Sequence, residues 1–203
     1  MTKNNLISKK LHVEDAILIV IDMQEKLVNA MSDKSALVDT CKKLVKGSQI
    51  LGIDVLYTQQ YTKGLGMTLS SLIDTWSYDS SKNITIATEN HSDFTFFEKT
   101  SFSIMGDTTF RKELESTQKK EIILCGVETH VCVLQSALDM VNLGYSVFLA
   151  EDAVSSRHNK DNDSALARMS ASDVVITTVE SILFELMSDA THPMFREISK
   201  LIK

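Results

Sequence analysis

Cys132 lies in the segment Glu121-Ile-Ile-Leu-Cys-Gly-Val-Glu-Thr-His-Val-Cys-Val-Leu-Gln135, where an aliphatic run ends in a glycine turn and an apolar helical pattern begins. A thiol at a helix start lies among unpaired backbone N–H groups and the positive end of the helix dipole. Both favour thiolate over thiol and lower the pKa. A nucleophile of this kind also needs a base to take its proton and a cation to hold the charge that forms. Asp22, closing the run Ala16-Ile-Leu-Ile-Val-Ile21, and Lys99, following the extended Phe94 to Glu98, supply those residue types. Taken singly, each has an ordinary explanation: a turn or cap carboxylate, a surface lysine, a small buried hydrophobe. Taken together they are a reactive site if they meet at one sheet edge, because ligands of open parallel sheets bind outside the carboxyl ends of the strands.

The elements that must position them alternate. Ala16 to Ile21 is a continuous aliphatic run, the pattern of a strand buried on both faces. Leu37 to Leu51 has helical spacing and stops at Gly52, and Asp54 to Thr58 reads as the second strand. Asp107 to Ser116 reads as a helix with Asp107 as N-cap, Ile122 to Val127 as a buried strand, and Thr129 to Leu143 as a helix capped by Gly144. Ser146 to Ala150 and Val174 to Thr178 complete the strands. Helices follow near Lys160 to Ser170, Glu180 to Met187 and Pro193 to Ile202. This alternation predicts a three-layer α/β/α domain with a parallel sheet and right-handed crossovers. The long irregular stretch Gln60 to Asn90, with Gly64, Gly66 and Trp76, is the expected pocket wall or lid.

A chain of 203 residues, 43% hydrophobic and 24% charged, is expected to form a single domain over 1–203 and to bury roughly 70% of its unfolded surface. The formal net charge of -6 and scattered lysines argue against a nucleic-acid partner. No apolar run reaches the length of about 18 residues that a membrane span requires, and residues 1–10 lack the apolar core of a signal peptide. Three cysteines, Cys41, Cys125 and Cys132, without C-x-x-C spacing fit a reducing, cytoplasmic location.

Three motifs together are similar to those of the isochorismatase-like cysteine hydrolases. They are Ile21-Asp22-Met23-Gln24, Glu98-Lys99-Thr100-Ser101-Phe102-Ser103, and Cys125-Gly126-Val127-Glu128-Thr129-His130-Val131-Cys132-Val133. The resemblance covers nearly the whole chain. Thr58 to Gly66 and Ser188 to Ile198 resemble the subgroup of isochorismatase-domain proteins found in bacteria and eukaryotes. The resemblance implies a Rossmann-like six-stranded parallel sheet and an Asp22–Lys99–Cys132 triad. It further implies a non-proline cis peptide at Val127-Glu128, an oxyanion hole made by the backbone N–H groups of Glu128 and Cys132, and a homo-oligomer.

Nicotinamidases of this superfamily carry metal-binding Asp-x-His after the second strand, where this chain reads Thr58-Gln59-Gln60-Tyr61. No metal and no other cofactor is therefore expected. His91 with Asp93 lacks a third ligand, and His130 lies about 200° from Cys132 on an α-helix, so it is expected in a turn or interface. Gln24, Gln60, Tyr61, Thr100, Phe102 and Thr129 are candidate substrate contacts, and Glu128 would make the site mouth acidic. The reading that follows is metal-independent hydrolysis of a small amide-like C–N bond through a Cys132 thioester. Three alternatives stay open: a vinyl-ether hydrolase using Asp22 as general acid, a non-catalytic binding or scaffold protein, and a nuclease-like role.

Overall fold

The computed structural model of the chain describes residues 9–73 and 96–203. His91, Asp93 and Trp76, with the rest of 74–95, lie outside the described residues. Six parallel strands form one sheet in the order β3-β2-β1-β4-β5-β6. They are β1 Ala16–Ile21, β2 Val55–Gln60, β3 Phe96–Lys99, β4 Glu121–Val127, β5 Ser146–Ser155 and β6 Val175–Thr177. Among the described residues the helices are α1 Glu25–Val28, α2 Lys34–Ile50, α3 Thr62–Leu65, α4 Ser70–Ile73, α5 Thr108–Ser116, α6 Leu134–Asn142, α7 Asn159–Ser170, α8 Val179–Met187 and α9 Phe195–Ile202.

Each buried strand divides its side chains between two cores, as its period of two requires. Ala16, Leu18 and Val20 of β1 pack with Leu37, Leu44 and Val45 of α2 and with Ile182 and Leu183 of α8. Ile17, Ile19 and Ile21 pack on the other face, with Phe110 and Leu114 of α5 and Ala137 and Met140 of α6. The expected three-layer α/β/α arrangement is present, and the unbroken aliphatic run in β1 follows from its central place in the sheet.

The strand order reverses between β1 and β4, which opens the crevice where such sheets bind ligands. Gly126 makes this junction possible. It sits at φ +114°, and a Cβ there would stand 2.0 Å from the Ile21 carbonyl oxygen, so only glycine lets the two strands approach. The register of β4 against β5 shifts between Leu124 and Gly126, which re-aims the chain as it leaves the sheet.

Strand β5 runs on from Ala150 to Ser155, the stretch read as irregular after Gln60 holds α3 and α4, and two further differences bear on the site. Strand β2 runs on from Thr58 to Gln60, which places Gln60 beside Lys99 of β3. The predicted continuous helix from Thr129 is instead a π turn over Thr129–Val133, followed by α6. The cause is local: the Glu128 carbonyl accepts from both Val131 N–H and Val133 N–H, while Ser136 Oγ donates to the Cys132 carbonyl at 2.6 Å.

Candidate active site

Asp22, Lys99 and Cys132 arrive from three different strand ends and converge. Lys99 Nζ lies 2.7 Å from Asp22 Oδ2 and 3.5 Å from Cys132 Sγ. All three residues are buried. Asp22 is not the N-cap of α1, since that place belongs to Gln24. Its backbone is left-handed, with φ 51°, a conformation that costs a non-glycine residue about 1 kcal/mol or more and that clusters at functional sites. Its carboxylate accepts from Lys99 and, at 2.8 Å, from Thr58 Oγ1. A buried carboxylate needs both a cation and a hydroxyl donor of this kind.

The structure reverses the expected thiol chemistry. Burial pushes the Cys132 thiol up to about 12, the Asp22 carboxylate pushes the same way, and the Lys99 ammonium opposes them without prevailing. The resting group is a thiol with a carboxylate and an ammonium at hand.

The remaining predicted residues divide by what they touch. Gln24 is fully buried, and its carboxamide is engaged with the backbone of Gln60 and Gly66. Gln60 Oε1 accepts from Lys99 Nζ at 2.6 Å, and Gln60 Nε2 donates to the Thr100 carbonyl at 3.0 Å. Tyr61 and Phe102 expose about half of their surface, 51% and 55%, at the ends of the segments that carry Gln60 and Lys99. Thr129 is fully buried, and its hydroxyl has no hydrogen-bond partner among the described residues. The Val127-Glu128 peptide is cis.

The Glu128 carboxylate, expected to make the mouth acidic, has a cationic partner. Arg157 Nε donates to Glu128 Oε2 at 2.9 Å, an ion pair that offsets the carboxylate. Sequence separation hid this contact, but the β4–β5 register that pairs Val127 with Ser155 brings the two loops together. His130 Nδ1 lies 2.9 Å from Ser156 Oγ across the same junction, so His130 braces two loops and does not form a dyad with Cys132. Thr58 and Ser136 were also missed. Ser136 Oγ binds both the Cys132 carbonyl and, at 3.0 Å, Ile104 N–H, tying the Cys132 turn to the segment after Lys99. A serine four residues after a helical position was the available signal. Among the described residues, no group of three or more His, Cys, Asp or Glu side chains could hold a metal ion.

The model of the isochorismatase domain matches residues 16–181, most of the chain and all three converging residues. The chain belongs to the isochorismatase family. It is 36% identical to isochorismatase family protein 1B of Dictyostelium discoideum over 196 residues, covering 96% of this chain and 89% of that protein. It is also 36% identical to the secreted isochorismatase effector Isc1 of Phytophthora sojae, over 93% of this chain and 84% of the relative. Among solved structures, the MAR1 ribonuclease of Caenorhabditis elegans superposes with a TM-score of 0.84 at 30% identity, covering 96% of this chain and 92% of that one. In this isochorismatase-family fold, the strand ends bring the polar and nucleophilic side chains together at the β1–β4 crevice. Among the described residues no helix is long and apolar enough to cross a membrane.

Proposed function

We propose that the protein is a cysteine hydrolase of small amide-like C–N bonds that uses Asp22, Lys99 and Cys132 and needs no metal. The observation that carries this reading is the position of Lys99 Nζ between the Asp22 carboxylate and the Cys132 sulfur in a buried pocket of charge. A thiol held well above neutrality does not attack as a free thiolate. Asp22 therefore takes the Sγ proton as the S–C bond forms, and Lys99 faces first the Asp22 carboxylate and then the charge developing on sulfur, without giving up a proton.

The carbonyl oxygen becomes an oxyanion held by the backbone N–H groups of Glu128 and Cys132. As the C–N bond breaks, Asp22 returns its proton to the leaving amine. Asp22 then takes a proton from water, which attacks the thioester, and the thiol leaves with that proton. Tyr61, Phe102, Thr100 and Thr129 are proposed to bound the substrate, an uncharged or weakly charged small molecule. Reducing cytoplasm is the proposed setting because the thiol must stay reduced. A homo-oligomer is proposed with it, and light scattering above the monomer mass of 22.6 kDa is the expected result.

The test is a panel of small amides, carbamates and ureides with wild type and Cys132→Ala, with mass spectrometry of acid-quenched enzyme for the acyl adduct. Turnover by wild type, an adduct on Cys132 and its loss in the variant are expected. Turnover of an enol-ether substrate that survives Cys132→Ala would instead assign Asp22 as the general acid of a vinyl-ether hydrolase. The 30% identity to a protein described as a ribonuclease favours a second reading, RNA cleavage. Incubation of single-stranded RNA with wild type and with Asp22→Asn separates it, since cleavage lost in the variant would move the assignment to RNA. Binding of a panel compound without turnover would leave a binding protein.

A further inference from the structure

An ammonium group has three protons to donate. Four acceptors surround Lys99 Nζ: Gln60 Oε1 at 2.6 Å, Asp22 Oδ2 at 2.7 Å, the Ser101 carbonyl at 3.2 Å and Cys132 Sγ at 3.5 Å. The sulfur lies at an ordinary N–H···S length, and it competes with three oxygens for three protons. Asp22 is the charge partner and Ser101 contributes main chain, so neither is an adjustable competitor. Gln60 is a neutral side chain, and several contacts hold it in place. Its Nε2 donates to the Thr100 carbonyl, and its backbone N–H and C=O are both taken by the Gln24 carboxamide, at 2.7 and 3.0 Å. Beyond it the chain turns through Tyr61 at φ 40°, whose N–H donates to the Lys99 carbonyl at 3.0 Å.

We propose that Gln60 is a positioning residue for the nucleophile: its amide oxygen holds a Lys99 proton away from the Cys132 sulfur, and Gln24 holds Gln60 where it can do so. The proposal rests on the reading of Cys132 as the nucleophile. When the thiol proton passes to Asp22, the sulfur becomes an anion and a far stronger acceptor. One Lys99 N–H then turns from the neutral Gln60 oxygen to sulfur. Lys99 keeps all its protons, and no bond other than hydrogen bonds changes at Gln60. The arrangement keeps the thiol protonated at rest and supplies the cation when attack begins.

The rate at which iodoacetamide alkylates Cys132 reads the available thiolate, and this probe carries no charge for a new carboxylate to repel. Alkylation is followed at about pH 8.5 by the mass of the Cys132 peptide, with Cys132→Ala as blank. Gln60→Met removes the acceptor at similar shape and should speed alkylation by about threefold or more. Gln60→Glu adds a second carboxylate against Lys99 and should slow it by about tenfold, one pKa unit. A glutamine that only packs would shift the melting temperature without sending the two rates in opposite directions. Unchanged rates, or two rates moving the same way, overturn the proposal. If Gln60→Met does not fold, the nearly isosteric Gln60→Glu decides, and an unchanged or faster rate there overturns it. Opposite shifts in alkylation without turnover of any panel compound would sink the hydrolase reading and leave the role of Gln60 standing.

Discussion

Two buried cysteine environments lie on opposite faces of the same sheet. Cys41 of α2 and Cys125 of β4 belong to the core that packs against α8 and α9, and Cys132 belongs to the core under α5 and α6. Cys41 donates its thiol to the Ala153 carbonyl at 3.3 Å. Its pKa is raised well above the ordinary range, first by Cys125 and then by burial. The Cys132 thiol is pushed up by burial too, but a carboxylate and an ammonium share its pocket. Burial alone makes a thiol inert. On the proposed reading, a base and a cation within reach turn the same inertness into a reaction that waits for substrate.

The comparison breaks most sharply by deletion. Cys132→Ala should lower kcat/KM on any panel substrate by at least about a thousandfold, whereas Cys41→Ala should leave the activity of the folded fraction unchanged. Equal losses in both would remove the distinction. Lys99→Met leaves the Asp22 carboxylate buried without its cation, and urea unfolding should register a loss of about 3–5 kcal/mol. Retained stability there would mean that the Lys99–Asp22 pair contributes nothing net to the fold.

Smaller is the stability change of Cys41→Ala itself, about 1–2 kcal/mol for a small buried side chain, read as a shift in the urea midpoint at constant slope. The pH response sharpens the contrast further. The folded protein holds the Cys132 proton up to about 12, against 9.0 for an ordinary cysteine. Stability therefore falls as pH rises from 9 towards 12, and alkylation of Cys132 should climb through that range with no plateau below about pH 10. Asp22→Asn removes a cause of the upward push, so it should speed alkylation while abolishing turnover.

The triad candidates were legible because their residue types stand at the ends of strands whose burial pattern is unambiguous. Asp22 ends a run that is aliphatic on both faces, and Gly126 marks the close approach at the neighbouring strand. What lay between them was not legible. The π turn at Thr129–Val133 depends on one carbonyl accepting twice and on Ser136, a choice that helical periodicity does not distinguish. The Glu128–Arg157 pair and the Gln60–Lys99 contact span 29 and 39 residues, and only sheet register brings them together.

By itself the sequence determined the alternation of strands and helices, the two-faced burial of the sheet and the family, because these depend on local pattern and on motifs read along the chain. Tertiary structure decided the protonation state of Cys132 and the number of acceptors that share Lys99. Both depend on which charges meet in a water-poor space, and that is set by strand order and register, not by neighbours in the chain.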